Sequence, residues 1–584
     1  MEIMGKDKKH HEFTLKNAAL RWIWDTARGN RRYLVLLTAL QILLNMASVC
    51  YSMLFRDLID RAVEKQLSGL YSAAAALGLL AVGQLALRSV FRWLEEYTRS
   101  GVENGIKHRF VDVLLRKSYA LVTSVNTGEW MNRLTSDTVL VADGVAQILP
   151  HLAGILVRMV GALVFILYFS PLFGAMILPA GVVFIFIAQL LRPKIKRLHA
   201  RVQETDGSLR TLVQERLDNQ LIVRAFGQRE RTLELADEKM SAHQTARVKR
   251  SWASNLYSAG FGFVMQGMYL LGAVVGCAGI ANGTVTFGTM TAVLQLISLL
   301  QSPLSEISGY FTRWYAMLVS AERLMEAEGF RESRWLQVPS EEETLRFYQH
   351  EFAGISLERI CFSHLELGQE EAARITIQNL NMELRKGDFI AITGSSGCGK
   401  STLLKLLMGL YIPDSGDMRM LRKEPLADRP LAAADSGLFA YVPQGNQLMS
   451  GTIRSVLAFD DPRKMKWEDH LWQALRVACA ADFVAALPDG LDSPLGERGS
   501  GLSEGQIQRL ALARAIFSGR PVLLLDEATS SLDEDTEWNV LNNLRTMTDR
   551  TVILVTHRTR ACEICDRVEQ LNNVAKEGVT EYGK

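Results

Sequence analysis

The chain has 584 residues, of which 48% are hydrophobic and 22% charged, with 65 Lys and Arg against 63 Asp and Glu for a formal net charge of +2. That length points to several domains. The charge balance gives no argument for nucleic acid binding, and the mixture is too apolar for a typical soluble enzyme yet too charged for a purely intramembrane chain. The seven cysteines are scattered and odd in number, so they imply no disulfide framework, and Cys562-x-x-Cys565 lacks a second pair at zinc spacing.

Residues 1–32 are polar and basic (Lys6, Lys8, Lys9, Lys16), with no short apolar stretch and cleavage site after them, so no cleaved signal is read. A membrane-spanning helix needs about 20 mostly apolar residues. The segments 33–55, 70–93, 146–169, 171–191, 255–282 and 286–306 meet that requirement, within a membrane domain over 33–326. Spans three and four nearly fuse at Ser170-Pro171, which leaves room only for a tight turn. The connection 191–251 is rich in cations, among them Arg192, Lys194, Arg201 and Arg250, whereas 280–287 carries no charge. Placing the basic connections inside puts both termini in the cytoplasm. The connections 95–140 and 193–254 have helical composition, so the spans are expected to continue as helices beyond the bilayer and turn back. Short helices are expected at the tips, over 127–136 and 213–221.

Few ionisable residues lie inside the spans. Arg88 lies near a helix end and can snorkel. Arg158 is flanked by apolar residues on both sides, and a central arginine costs about 2.5–3.5 kcal/mol on insertion scales. It therefore faces a wet cavity, as a candidate contact for an anionic substrate group, or a neighbouring helix through a hydrogen bond, or it snorkels if the span starts later.

Residues 327–350 are polar and contain Pro339, which reads as a linker. From 351 to 584 short apolar strands alternate with helices, the pattern of an α/β domain. Phe389–Thr393 is a buried-strand run entering Gly394-Ser395-Ser396-Gly397-Cys398-Gly399-Lys400-Ser401, and Ser401-Thr402-Leu403-Leu404 begins a helix. This is the strand–loop–helix context of the phosphate loop GxxxxGK[ST]. Its glycines let backbone N–H groups approach phosphates, and the helix N-terminus adds positive potential. Lys400 is placed to reach the β- and γ-phosphates and Ser401 to ligate Mg²⁺. A second apolar run, Pro521–Leu525, ends in Asp526, suited to Mg²⁺, and Glu527, suited to polarising a water. A third, Thr551–Thr556, is followed by His557, which can hydrogen-bond a γ-phosphate.

These motifs, with Leu502-Ser503-Glu504-Gly505-Gln506 about a hundred residues after the phosphate loop, resemble those of ATP-binding cassette (ABC) transporters. The likeness covers nearly the whole chain and is to the exporter-type half-transporter, a six-helix all-α membrane domain fused to one α/β nucleotide-binding domain. Tyr441-Val442-Pro443-Gln444 resembles the Q-loop, 496–501 the X-loop, Ser530-Ser531-Leu532-Asp533 the D-loop, and 215–227 the second intracellular loop of that family. The resemblance implies ATP and Mg²⁺ as cofactors, with Gln444, Asp526 and Ser401 around the metal and Lys400, Glu527 and His557 in catalysis. It also implies that Ser503, Gly505 and Gln506 act on ATP held by a second half-transporter, most simply an identical copy, with a related chain as the alternative. The implied location is a bacterial inner membrane, and the implied cargo is drug-like, lipid or peptide, with no nucleic acid partner.

The chain departs from the family's pattern in three places. His364 stands where an aromatic ring stacks on adenine, 365–373 is slightly longer and more acidic than usual, and Glu504 replaces a signature glycine. A carboxylate at 504 either repels a triphosphate or points away and caps a helix. An importer of siderophore-like cargo built on the same fold, or an ATP-binding regulatory protein without transport, are the competing readings; an intact Glu527 argues against the second.

Overall fold

The structure, a computed structural model, describes residues 17–169, 171–330, 339–364, 374–445, 448–496, 499 and 501–571, with side chains for all of these except 172, 176–192, 302–308, 311, 364, 374, 375 and 433. The chain divides into two compact units. One holds residues 1–109 and 132–325; the other holds 110–131 and 326–584.

The first unit is built on six long helices: α1 (Arg31–Val63), α2 (Leu67–Arg116), α3 (Leu149–Phe169), α4 (Pro171–Asp218), α5 (Arg229–Ala281) and α6 (Phe287–Gly329). Each apolar segment expected to span a membrane falls on one of them, apart from residue 282 at the end of the fifth and residues 286 and 146–148, which precede their helices. Among the described residues four helices are long and apolar enough to cross a membrane, over Asn17–Val63, Leu67–Arg116, Thr127–Phe169 and Arg229–Ala281, and Phe287–Gln301 is a shorter apolar stretch. The segment 171–191 lies on α4, largely outside the described side chains. Leu79, Leu85 and Phe263 leave more than two thirds of their surface uncovered, as side chains solvated by lipid rather than by water do.

Apolar packing and polar caps both hold this unit together. Val49, Ala162, Ile166, Phe173, Val293 and Leu296 form one buried cluster from α1, α3, α4 and α6. Gly154 allows α3 to approach α1 closely, since a Cβ there would lie 2.4 Å from Asn45 Nδ2. The Asp60 carboxylate near the end of α1 accepts from Gly288 N at 2.9 Å and Thr286 Oγ1 at 3.0 Å, so it caps α6 from another helix.

Of the two expected tip helices, the first is observed from Thr127, as Thr127–Asn132 continuing into a π-helical turn over Arg133–Asp137, while the second is displaced. Before α3 the chain forms Tyr119–Ser124 and then Thr127–Asn132, and it is the segment 110–131 that joins the second unit. Residues 213–218 remain part of α4, because the helix breaks at Asn219 (φ −104°, ψ 27°); the short helix is Gln220–Ala225. In the region read as linker, residues 331–338 lie outside the described residues, but α7 (Glu341–His350) is a capped helix. Ser340 Oγ accepts from Glu343 N while Ser340 N donates to the Glu343 carboxylate, a reciprocal box that the Ser-Glu-Glu-Glu run encodes.

The second unit contains an antiparallel sheet led by β1 (Phe352–His364), β2 (Arg374–Arg385) and β4 (Ser415–Arg422), and a parallel sheet. The parallel sheet comprises β3 (Phe389–Gly394), β5 (Phe439–Val442), β6 (Val522–Asp526), β7 (Thr551–Val555) and β8 (Arg567–Leu571) in the order β8-β3-β7-β6-β5. Three helices matter for the site: α8 (Lys400–Leu407), α9 (Glu504–Phe517) and α10 (Glu534–Arg545). Every residue of β6 and β7 is buried, which explains why these strands read as unbroken apolar runs. Leu524 on β6 is fully buried between β7 and β5. Leu524→Ala is expected to destabilise this unit by about 2–5 kcal/mol and to lower its melting temperature by roughly 5 °C or more in thermal unfolding of the full chain in detergent; a shift below about 2 °C would contradict the placement of β6.

Candidate nucleotide site

The parallel register fixes where the motif residues meet. Val555 at the end of β7 pairs with Ile392 on one side and Asp526 on the other, so the carboxyl ends of β3, β7 and β6 lie side by side. In an open α/β sheet ligands bind beyond those ends.

The loop after β3 depends on two glycines with left-handed backbone. Gly394 (φ +151°) has no room for a side chain, because a Cβ would lie 2.5 Å from the Leu571 carbonyl; Gly399 (φ +99°) is the residue before α8, where a Cβ would meet Ile377 at 2.9 Å. Ser395, Ser396 and Gly397 are exposed on the loop, while Cys398, Gly399, Lys400 and Thr402 are buried. The Lys400 ammonium donates to the Gly394 and Ser395 carbonyls at 2.9 and 3.0 Å. These bonds hold the loop curled around the lysine and are ones it can exchange for phosphate oxygens.

Asp526 is 1% exposed. Its Oδ2 accepts from the Tyr441 hydroxyl at 3.1 Å, and its buried Oδ1 has no hydrogen-bond partner. Burial raises its pKa above the ordinary carboxylate value, against the lowering effect of the Ser401 and Tyr441 hydroxyls beside it. An orphaned, buried carboxylate oxygen next to a serine hydroxyl is a fit for a hard divalent cation with oxygen ligands.

Glu527 adopts the left-handed region (φ +50°) with its N–H bonded to the Val555 carbonyl at 3.1 Å. A non-glycine residue there carries strain of about 1–3 kcal/mol, which the surroundings must impose. Its carboxylate accepts from Gln444 Nε2 at 2.8 Å and lies 3.4 Å from His557 Nε2. Lys400, Ser401, Gln444, Asp526, Glu527 and His557 thus converge at one end of one sheet. The His364 side chain, residues 365–373 and the X-loop residues Glu497, Arg498 and Ser500 lie outside the described side chains and residues.

The Leu502–Gln506 segment forms the start of α9. Ser503 Oγ accepts from Gln506 N at 3.3 Å and Ser503 N donates to Gln506 Oε1 at 2.9 Å. The helix cap is thus made by Ser503 and Gln506, not by Glu504, which is exposed in the first turn, where a negative charge favours the helix. A Cβ on Gly505 would stand 3.1 Å from the Ser531 carbonyl. Among the described residues, Ser503 and Gln506 make no hydrogen bond to the phosphate loop.

Several site residues were not anticipated from sequence. The buried Gln508 amide donates to Ser530 and Ser531 hydroxyls at 3.0 and 3.2 Å and accepts from Ser531 N at 2.9 Å. Arg558 donates to the Leu532 and Ser530 carbonyls and to Glu537, and Glu537 also accepts from Thr529 at 2.6 Å. The segment 110–131 contributes too. The Tyr119 ring lies 6.0 Å from Tyr411, and the Lys405 ammonium of α8 sits 5.8 and 5.6 Å from the two rings. Cys562 and Cys565 donate to backbone carbonyls one turn back, and burial pushes the Cys565 thiol pKa up to about 12.

Residues 34–304 match the family model described as ABC transporter transmembrane region, and residues 377–530 the one described as ABC transporter. The chain belongs to the ABC transporter family. As an exporter-type half-transporter it joins one helical membrane domain to one nucleotide-binding domain and couples ATP hydrolysis to transport. It is 29% identical to an ATP-dependent lipid A-core flippase of Bordetella avium, over 84% of this chain and 81% of that one. It is 27% identical to a multidrug resistance ABC transporter ATP-binding and permease protein of Lactococcus lactis (84% and 80%) and 25% identical to the leukotoxin translocation ATP-binding protein LktB of Mannheimia haemolytica (93% and 74%). Its fold is that of a bacterial Atm1-family ABC exporter, with a TM-score of 0.75 at 21% identity over 93% and 94% of the two chains.

The environment of Asp526 generates a prediction. Because burial raises its pKa in the folded chain, its negative charge lowers stability as pH rises from the unfolded carboxylate range through the raised folded value. Asp526→Asn is expected to leave the nucleotide-free chain as stable as, or about 1 kcal/mol more stable than, the wild type at pH 7 while abolishing ATP hydrolysis. Thermal unfolding without nucleotide and an ATPase assay check the two halves; a clear drop in melting temperature would show that the charge is stabilised rather than tolerated.

Proposed function

We propose that two copies of this chain form an ATP-driven exporter. Each nucleotide site would be made from Gly394–Ser401 of one copy and Leu502–Gln506 of the other, and the cargo would be a lipid, a drug-like molecule or a peptide. The observation that carries this reading is the bonding of the signature segment. Ser503 and Gln506 satisfy each other, Gly505 packs on the D-loop, and among the described residues nothing in that segment bonds the phosphate loop of its own chain. A complete half-site on each face is what an identical partner requires. The flippase, multidrug and leukotoxin-translocating relatives support outward transport and leave the cargo class broad. This reading places six crossings along the six long helices, and the basic connections favour both termini in the cytoplasm.

Within such a site Lys400 releases the loop carbonyls and turns to the β- and γ-phosphate oxygens. Glu527, already held by Gln444 and His557, orients and polarises the attacking water, and His557 can then donate to the γ-phosphate as negative charge develops there. Ser401, Gln444 and Asp526 are the residues that would hold Mg²⁺, which when bound would neutralise phosphate charge. Because Gln444 bonds Glu527 directly, a shift of the Q-loop alters how the catalytic carboxylate is held.

Glu527→Gln is expected to retain ATP binding while lowering kcat at least about a hundredfold, and ATP is expected to hold this variant as a two-chain species in native mass spectrometry. Hydrolysis within tenfold of wild type would remove Glu527 from its role, and a single-chain species with bound ATP would remove the shared site. ATP-dependent accumulation of cargo in inverted vesicles separates export from import.

A further inference from the structure

The membrane unit contains a cavity of about 570 Å³ between α1, α2, α5 and α6, in the range of small-molecule sites. Its lining is mixed: Phe55, Leu294 and Leu299 supply apolar wall, while Gln84, Arg88 and Gln295 supply amide and guanidinium groups. Its lining contains one cation, Arg88, and no carboxylate among the described residues. Arg88 forms no ion pair among the described residues, although it lies on the apolar part of α2. Gln84 Nε2 and Gln295 Oε1 are buried without hydrogen-bond partners. An amide donor and an amide acceptor left unsatisfied beside an uncompensated guanidinium form an unfavourable arrangement unless a ligand supplies the missing partners.

We infer that this cavity binds the anionic end of an amphipathic organic molecule, with Arg88 as counter-charge, Gln84 and Gln295 as hydrogen-bonding partners and the α1–α6 wall as contact for its apolar body. The inference rests on the transport reading above and names the cargo class that reading left broad. It moves the cavity contact from Arg158, the sequence-based candidate, which is not among the described lining residues, to Arg88, which the sequence placed near a helix end. A guanidinium offers paired donors to a phosphate or carboxylate, and with no acid among the described lining residues a cationic ligand finds no counter-charge there.

The test is equilibrium competition against radiolabelled dodecyl phosphate, using the full chain in phosphatidylcholine nanodiscs with empty nanodiscs subtracted. Dodecyl phosphate is expected to compete at least about tenfold better than dodecyltrimethylammonium, which has the same tail and opposite charge, and inorganic phosphate is expected not to compete. Arg88→Gln is expected to weaken dodecyl phosphate by about ten- to a hundredfold, Arg88→Lys to keep most of the preference, and Leu294→Trp to block binding by filling the cavity. Absence of saturable binding in the wild type, equal competition by the cation, or full affinity in Arg88→Gln would overturn the assignment, and displacement by inorganic phosphate would show an anion site with no place for a tail. Should Arg88→Gln fail to fold, the charge preference of the wild type and the Arg88→Lys result still decide. A wild type that binds dodecyl phosphate but neither hydrolyses ATP nor accumulates cargo would defeat the transport reading and leave this one standing.

Discussion

The nucleotide site depends on a carboxylate in a place that burial disfavours. Asp526 ends a strand in which all five residues are buried, and its own exposure is 1%. The strand must be apolar to sit between β7 and β5, and the sheet register then carries its last residue to the edge of the phosphate loop. One Asp526 oxygen is satisfied by the Tyr441 hydroxyl; the other is left without a protein donor. Burial and the neighbouring Asp526 charge in turn raise the Tyr441 pKa, which keeps the phenol protonated and able to donate. The half-satisfied carboxylate is costly for folding and suited to a cation, so one local feature carries both a cost to stability and the site's chemistry.

Around that carboxylate the remaining parts are fixed to one another by polar contacts. Gln508 on α9 ties the signature helix to Ser530 and Ser531. Arg558, the residue after His557, ties the same D-loop to Glu537 at the start of α10. Glu537 is nearly inaccessible and receives both Arg558 and Thr529, so it meets the condition under which a buried charge is tolerable, with its acceptor sites filled. Through these bonds the histidine segment, the D-loop and the signature helix cannot shift independently. If the signature engages a partner's nucleotide, that engagement reaches His557 through two side chains.

The sequence was most legible where function sits in contiguous residues flanked by regular structure. The phosphate loop, Asp526-Glu527 and His557 each follow an apolar run short enough to be a strand, and register alone brings them together. Gln508, Arg558, Glu537 and the Tyr441 hydroxyl were not legible, because their meaning lies in partners 21 to 85 residues away. In the membrane half, apolar length located the helices, but length says nothing about the rotation of a helix about its axis. For that reason Arg158, central in its span, drew attention ahead of Arg88, which faces the cavity. The tip helix at Gln220–Ala225 was displaced from its expected position because composition on either side of Asn219 is equally helical, and only the backbone reveals the break. The capped helix at Glu341 did carry a readable signal in Ser340 and Glu343, masked by the polarity that suggested a linker.

The segment 110–131 follows the membrane helices in sequence but packs as part of the second unit. Residues 67–116 form a single helix, so the start of this segment is covalently part of α2, which carries Gln84 and Arg88. Its Tyr119 ring shares the Lys405 ammonium with Tyr411, and Lys405 is on α8, five residues from Lys400. Tyr411 stacks on Phe362 at 5.0 Å, next to the end of β1. A cation shared between two rings is an attraction of about 0.5–2 kcal/mol that weakens steeply when either ring moves. Within the second unit, a shift of Tyr119 therefore acts on the helix whose first residue is the phosphate-binding lysine.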